Sequence, residues 1–184
     1  MNKALTLLLC FVGSCAAPPA AVPARQQPAA GDTVSSEGER VRHDLESSVR
    51  SKFGDKLAAE GLSAPTFILA KRYVGLPRPI LQPDGAYRFA EPPVAMLVRR
   101  GGVWLAAKVD GTFAPVPPEN AAGINAVVND PAFSAEPSFT PPTCTDAGGD
   151  LLWLNAEGRP ATVRQSACGS AARTERLVLL ALES

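Results

Sequence analysis

Val41, Leu45, Val49, Phe53 and Leu57 recur every four residues with charged side chains between them. That is the stripe of a helix turning one face to a core, and it predicts a first helix from about Glu39 to Leu57. Gly61 and Pro65 mark its end and exit. Thr66–Tyr73 then reads as a strand, Asp84-Gly85 as a turn, and Ala86–Phe89 as a short second strand. The clearest unit follows, a hairpin of Val94–Arg100 and Val103–Val109 around Gly101-Gly102. With both glycines as turn residues, Arg100 faces Val103 and every further pair is set. One face then carries Val94, Met96, Val98, Val103, Leu105, Ala107 and Val109, and it is the predicted core face. The reverse face carries Ala95, Leu97 and Arg99 against Lys108, Ala106 and Trp104, with Arg99 directly opposite Trp104.

Pro117-Pro118-Glu119 opens a second helix with Ala121, Ile124, Val127 and Val128 on one side, halted at Asp130-Pro131. A second hairpin is expected from Leu151–Asn155 and Ala161–Ser166, turning near Glu157-Gly158. Leu152 and Leu154 should share its core face with Ala161 and Val163, leaving Trp153 on the other side. Ser170 is placed to cap a last helix bearing Leu177, Leu180 and Ala181. The expected fold is therefore α+β: a small antiparallel sheet built from two hairpins, about three helices mainly on one face, and one disulfide. Hairpin-then-helix recurs in both halves, as in a duplicated ββα unit, though residue identity between the halves is slight.

Upstream of this pattern the chain changes character. Lys3 precedes an apolar run, Ala4–Val12, too short to span a hydrocarbon core of ~30 Å as a helix. Val12-Gly13-Ser14-Cys15 follows at once: an aliphatic residue, two small ones and a cysteine. This segment resembles the lipobox of bacterial lipoproteins, and the resemblance covers residues 1–15 alone. It implies that Cys15 receives a diacylglycerol, that residues 1–14 are cut away as a signal peptide, and that Cys15 becomes the first residue of the mature chain. Cys10 follows bulky Leu9 and sits too early in the run to serve. Two or three acyl chains, at ~0.8 kcal/mol per buried methylene, make a firm anchor. If the host is Gram-negative, Ala16 in place of the inner-membrane retention Asp implies the outer membrane, facing the periplasm. From Ala16 to about Glu37 only Ala, Pro and scattered polar residues occur, a spacer with nothing to bury. Residues 15–37 thus form a lipidated tether and residues 38–184 one domain.

Composition narrows the remaining choices. Eighteen basic and eighteen acidic residues balance, with no basic stripe to neutralise phosphates, so nucleic acid is not an expected partner. Of four cysteines, lipidation and signal cleavage leave Cys144 and Cys168, with a single pairing near the open ends of the second hairpin. Closing that loop is worth ~3.5 kcal/mol in the chain-entropy model.

Chemical signals are few. His43 is the only histidine, which excludes His-pair zinc sites, and it lies off the apolar stripe on an exposed helix face. Ser48 and Lys52 fall four apart, but Ser-x-x-Lys is absent. Asp146 and Asp150 flank Gly148-Gly149, a turn entering a strand rather than a calcium loop. No catalytic residue, metal site or cofactor is nominated. Leu97, Arg99, Trp104 and Trp153 admit two readings: a face covered by other elements, or an exposed aromatic patch that docks a partner. The expected role is a lipid-anchored envelope protein that binds a protein or cell-wall component without catalysis. A cell-wall hydrolase or transferase, or an inhibitor of an envelope enzyme, stands as the alternative.

Overall fold

The computed structural model describes residues 30–73, 75, 79–139, 148–167 and 169–184, with side chains described from residue 36. The signal segment, Cys15, Cys144, Asp146 and Cys168 lie outside the described residues.

Helix α1 (Ala30–Phe53) buries Val41, Leu45, Val49 and Phe53 as the four-residue period requires. It begins nine residues before the expected Glu39. Beyond the apolar stripe it is held by ion pairs one turn apart, Glu37–Arg40 at 2.6 Å and Glu39–Arg42 at 3.1 Å. Gly54, at φ 84°, breaks the helix, and α2 (Asp55–Leu62) resumes with Leu57, Ala58 and Gly61 buried.

Six antiparallel strands form the main sheet: β1 (Phe67–Tyr73), β4 (Val94–Arg100), β5 (Val103–Ala107), β6 (Phe113–Pro115), β7 (Gly149–Asn155) and β8 (Thr162–Ala167). Their order is β6-β5-β4-β1-β7-β8, with β1 between the two hairpins. β2 (Pro79–Leu81) and β3 (Tyr87–Phe89) make a separate two-stranded ribbon inserted between β1 and β4.

The first hairpin has the register its glycines dictate. Gly101 and Gly102 both take positive φ, and Arg100 faces Val103, Arg99 faces Trp104 and Val98 faces Leu105. Its far end differs from expectation. Asp110 accepts hydrogen bonds from the Thr112 N–H and hydroxyl, so the chain turns after Ala107 and returns as β6. Val109 therefore sits on that turn, 75% exposed, and Val103 is exposed beside the glycines.

The second hairpin is shifted by one residue. Trp153 faces Val163 and Leu152 faces Arg164. The N–H of Arg159 closes on the Ala156 carbonyl around Gly158, and Pro160, which has no N–H for the ladder, adds an unpaired residue. A one-residue shift exchanges faces. Trp153 joins Val163 on one side, and Arg164 joins Leu152 and Leu154 on the other.

Both faces of the sheet are covered, not one. Against α1 and α2 lie Phe67, Leu69, Val94, Met96, Val98, Leu151 and Val163. Against α3 (Pro118–Val128), α4 (Pro131–Ala135) and α5 (Ala172–Leu182) lie Ile68, Ala70, Leu97, Trp104, Ala106, Leu152 and Leu154. The result is three layers, with the antiparallel sheet in the middle. α4 is a short helix that the apolar pattern does not signal; Asp130 caps it by accepting the Ala132 N–H, and its Phe133 is buried.

Ser170 does not cap α5. Its hydroxyl accepts the Ala167 N–H instead. The first free amides of α5, on Arg173 and Thr174, donate to the Glu136 carboxylate at 2.8 and 3.0 Å.

Candidate functional site

Leu97, Arg99, Trp104 and Trp153 do not form one surface. Leu97 is fully buried and Trp104 is 2% exposed beneath α3, where its indole N–H donates to Asn125 Oδ1 at 2.9 Å. Arg99 is exposed over the Trp104 ring, 5.9 Å from its centroid. Trp153 is half-buried on the opposite face, edge-on to Phe67 with centroids 5.1 Å apart. Covering helices, unseen in a pattern that separates one apolar row from another, account for both tryptophans. Around Arg99 lies a groove of about 500 Å³ that also takes in Arg100, Glu157 and Arg159. Its arginines are already engaged: Arg100 with Glu60 at 2.8 Å, Arg159 with the Val128 carbonyl, Arg99 with the Gly102 carbonyl.

The polar residues gather where β1 ends, on both sides of the sheet. Towards α1, the Lys71 ammonium donates to Asp44 Oδ1 at 2.6 Å and to Ser48 Oγ at 2.9 Å, and the Tyr73 hydroxyl donates to the other Asp44 oxygen. This Ser–Lys contact joins a helix to a strand, so no local spacing could announce it; Lys52 instead donates to the Val94 carbonyl. Burial alone would raise the Asp44 carboxyl, but hydrogen bonds from Lys71, Tyr73 and Ser48 outweigh it and hold it below its usual range. Burial likewise opposes the charge on Lys71, and its bonds to Asp44 and Tyr73 prevail and raise it. Lys71 is thus the ion-pair partner of Asp44 as well as the donor to Ser48.

Towards α5, Arg72, Asp150 and Ser166 lie side by side across β1, β7 and β8. Arg72 grips Asp150 with two hydrogen bonds, at 2.8 and 2.9 Å. These residues line a cleft of about 280 Å³ with Tyr73, Gly148, Gly149 and Glu175. Two atoms there, Ser166 Oγ and Glu175 Oε1, are buried without a hydrogen-bond partner. Gly148 is required, since a side chain would overlap the Tyr73 carbonyl. Asp150 thus belongs to an ion pair at a strand entry, and among the described residues no three acidic, histidine or cysteine side chains gather to hold a metal. His43 is exposed on α1.

A further buried ion pair follows from the shifted register. Arg164 reaches Glu136 at 3.3 Å and stacks over Phe133, 4.1 Å from the ring centroid. Glu136 also accepts the Thr174 hydroxyl, so one carboxylate caps α5 and neutralises a core arginine. Its role is architectural.

The ribbon β2–β3 differs from all of these in that its strand residues are all exposed. Pro79 faces Phe89 and Leu81 faces Tyr87, putting four apolar side chains on one side, with Ile80 and Arg88 on the other. Leu81, Tyr87 and Phe89 are 61, 69 and 62% exposed. Its tip is fixed by the Gln82 N–H on the Ala86 carbonyl and by Asp84, which accepts the Ala86 N–H. Large apolar side chains are thus held outward on a hydrogen-bonded ribbon. The local alternation around Asp84-Gly85 carries that signal, but β2 is too short and proline-flanked to be read as a strand. No protein-family model, curated protein or solved structure matches the chain.

Proposed function

We propose that this chain is a lipid-anchored protein of the bacterial cell envelope that acts by binding rather than catalysis, with the β2–β3 arm as its binding element. The exposed apolar side of the arm carries the reading. Burying three large side chains is worth ~1.5–3 kcal/mol each, and here that gain is left for a partner. The ion pair of Lys71 with Asp44 at 2.6 Å, which engages the lysine beside Ser48, favours binding over serine chemistry. The lipobox-like segment supplies the location: Cys15 carries the lipid, residues 16–29 tether the folded part, and the outer membrane facing the periplasm is the expected site. Cys144 and Cys168 pair as the domain's disulfide in that oxidising compartment.

The test is metabolic labelling with a palmitate analogue. Wild-type protein should take up label, and Cys15→Ser should not. Unlabelled wild type would overturn the anchor.

A further inference from the structure

We propose that the β2–β3 arm lies on the lipid bilayer, its Pro79, Leu81, Tyr87 and Phe89 side seated at the headgroup–acyl boundary. This rests on the arm being the binding element, and the partner it names is a membrane surface.

Size argues first. A specific protein interface engages roughly 20–30 residues a side. The arm offers six strand residues, all exposed. Exposed large apolar residues elsewhere among the described residues, such as Val103, Val109 and Leu179, are scattered singly. A bilayer asks for no matching shape, so a few large side chains suffice.

Chemistry sets the depth. Tyrosine is favoured at the membrane–water boundary, where an apolar ring and a polar hydroxyl are both satisfied. The ribbon keeps unpaired backbone groups along both outer edges, a heavy cost in hydrocarbon. Its tip carries Gln82 and Asp84, which bars insertion end-on. The arm therefore lies flat. Arg88 is balanced by Asp84 at 3.4 Å, so binding should depend little on salt.

Placement adds a third reason. The arm leaves the sheet after Tyr73 and rejoins it at Val94, and α1 touches both roots: Asp44 meets the Tyr73 hydroxyl and Lys52 meets the Val94 carbonyl. α1 is also the helix reached from the N-terminal tether. Ala30 to Asp44 spans about 21 Å of helix, and residues 16–29 would span about 43 Å if polyproline-like. An arm rooted there can meet the bilayer that holds the lipid. It would fix the domain's orientation on the membrane, which a flexible tether alone cannot do.

The experiment uses the full chain with Cys15→Ser and vesicles of phosphatidylethanolamine and phosphatidylglycerol. Hydrogen–deuterium exchange is followed at amides 79–89 with and without vesicles, for this chain and for one also carrying Leu81→Ser, Tyr87→Ser and Phe89→Ser. Vesicles should slow arm exchange at least several-fold in the first chain and leave it unchanged in the second, with equal melting temperatures. Exchange unaffected by vesicles in the first chain overturns the proposal. So does vesicle-independent protection that grows with protein concentration, which would mean that the arm pairs with a second copy. Because no lipid is attached, the result is independent of whether Cys15 is acylated, and palmitate labelling decides that separately.

Discussion

At the residue scale, Glu136 is a heavily used side chain where α4 meets α5. It accepts from the amides of Arg173 and Thr174, from the Thr174 hydroxyl and from Arg164. Glu136→Ala leaves a buried guanidinium unpaired and a helix end uncapped, and should cost about 3–5 kcal/mol in urea denaturation. Glu136→Gln, which keeps an acceptor, should cost less. Burial would raise the Glu136 carboxyl, but the bonds from Arg173 and Thr174 and the Arg164 charge hold it low. Asp44 is also held low. A depressed folded pKa adds stability above the ordinary carboxylate value, and that stability is lost as pH falls through the folded value. The stability–pH curve should therefore drop below about pH 4. In Glu136→Ala that acid limb should be shallower; an unchanged limb would show that Glu136 is not among its sources. Lys71 has the opposite sign: its raised value keeps its contribution until strongly alkaline pH. Trp104→Ala should lower the melting temperature sharply, by about 3–5 kcal/mol of stability, because the ring fills the layer beneath α3. Its pairing with Arg99 is legible in the glycine turn. Its burial is not, because a strand pattern names a residue's face and not what covers that face.

At the element scale, legibility follows the turn chemistry. Gly101-Gly102 defines a two-residue turn, so each pair of the first hairpin follows from the amino-acid order alone. The second turn also carries a glycine, yet Pro160 lengthens the loop by one residue and reverses the faces of Trp153 and Arg164. That shift buries an arginine, and Glu136 from another element becomes necessary to it. Helix caps show the same limit: Ser170 has the right side chain but stands one residue before the N-cap position, Ala171, and α5 is capped by a carboxylate distant in sequence. The α1 stripe is legible through Leu57, while the break at Gly54 is hidden because the apolar period continues across it. Gly61 supplies an element-scale prediction. A Cβ there would overlap the Met96 side chain, which is packed in the core. Gly61→Ala should destabilise by about 1–3 kcal/mol, as overpacking does. Relief by Met96→Ala in the double variant would tie the cost to this contact, and simple additivity would refute it.

At the scale of the whole molecule, the sheet is closed on both sides, and this decides which surfaces remain for function. The sequence suggests one covered face because the first hairpin's reverse row mixes Arg99 and Lys108 with Leu97 and Trp104. Those charges sit near the ends of the strands, and the apolar middle of the row is enough to carry a second helical layer. Once both faces are occupied, the arm is the largest cluster of exposed apolar side chains among the described residues. The polar end of β1 is not legible in the sequence, since it depends on residues brought together by strand pairing; of the arm, the turn at Asp84-Gly85 and the strand after it are legible, and β2 is not. The two halves of the sheet meet only through β1, with β4 on one side and β7 on the other. Stability of the β7–β8 half should therefore be felt across the molecule. The expected Cys144–Cys168 bridge closes a loop that contains this whole hairpin, worth ~3.5 kcal/mol in the chain-entropy model. Reductant should lower the melting temperature while leaving a single cooperative transition, because both helical layers share one sheet. Thiol labelling of protein purified from the envelope should find both cysteines blocked until reduction. Free thiols before reduction would remove the bridge, and a second transition after it would show that the halves unfold separately.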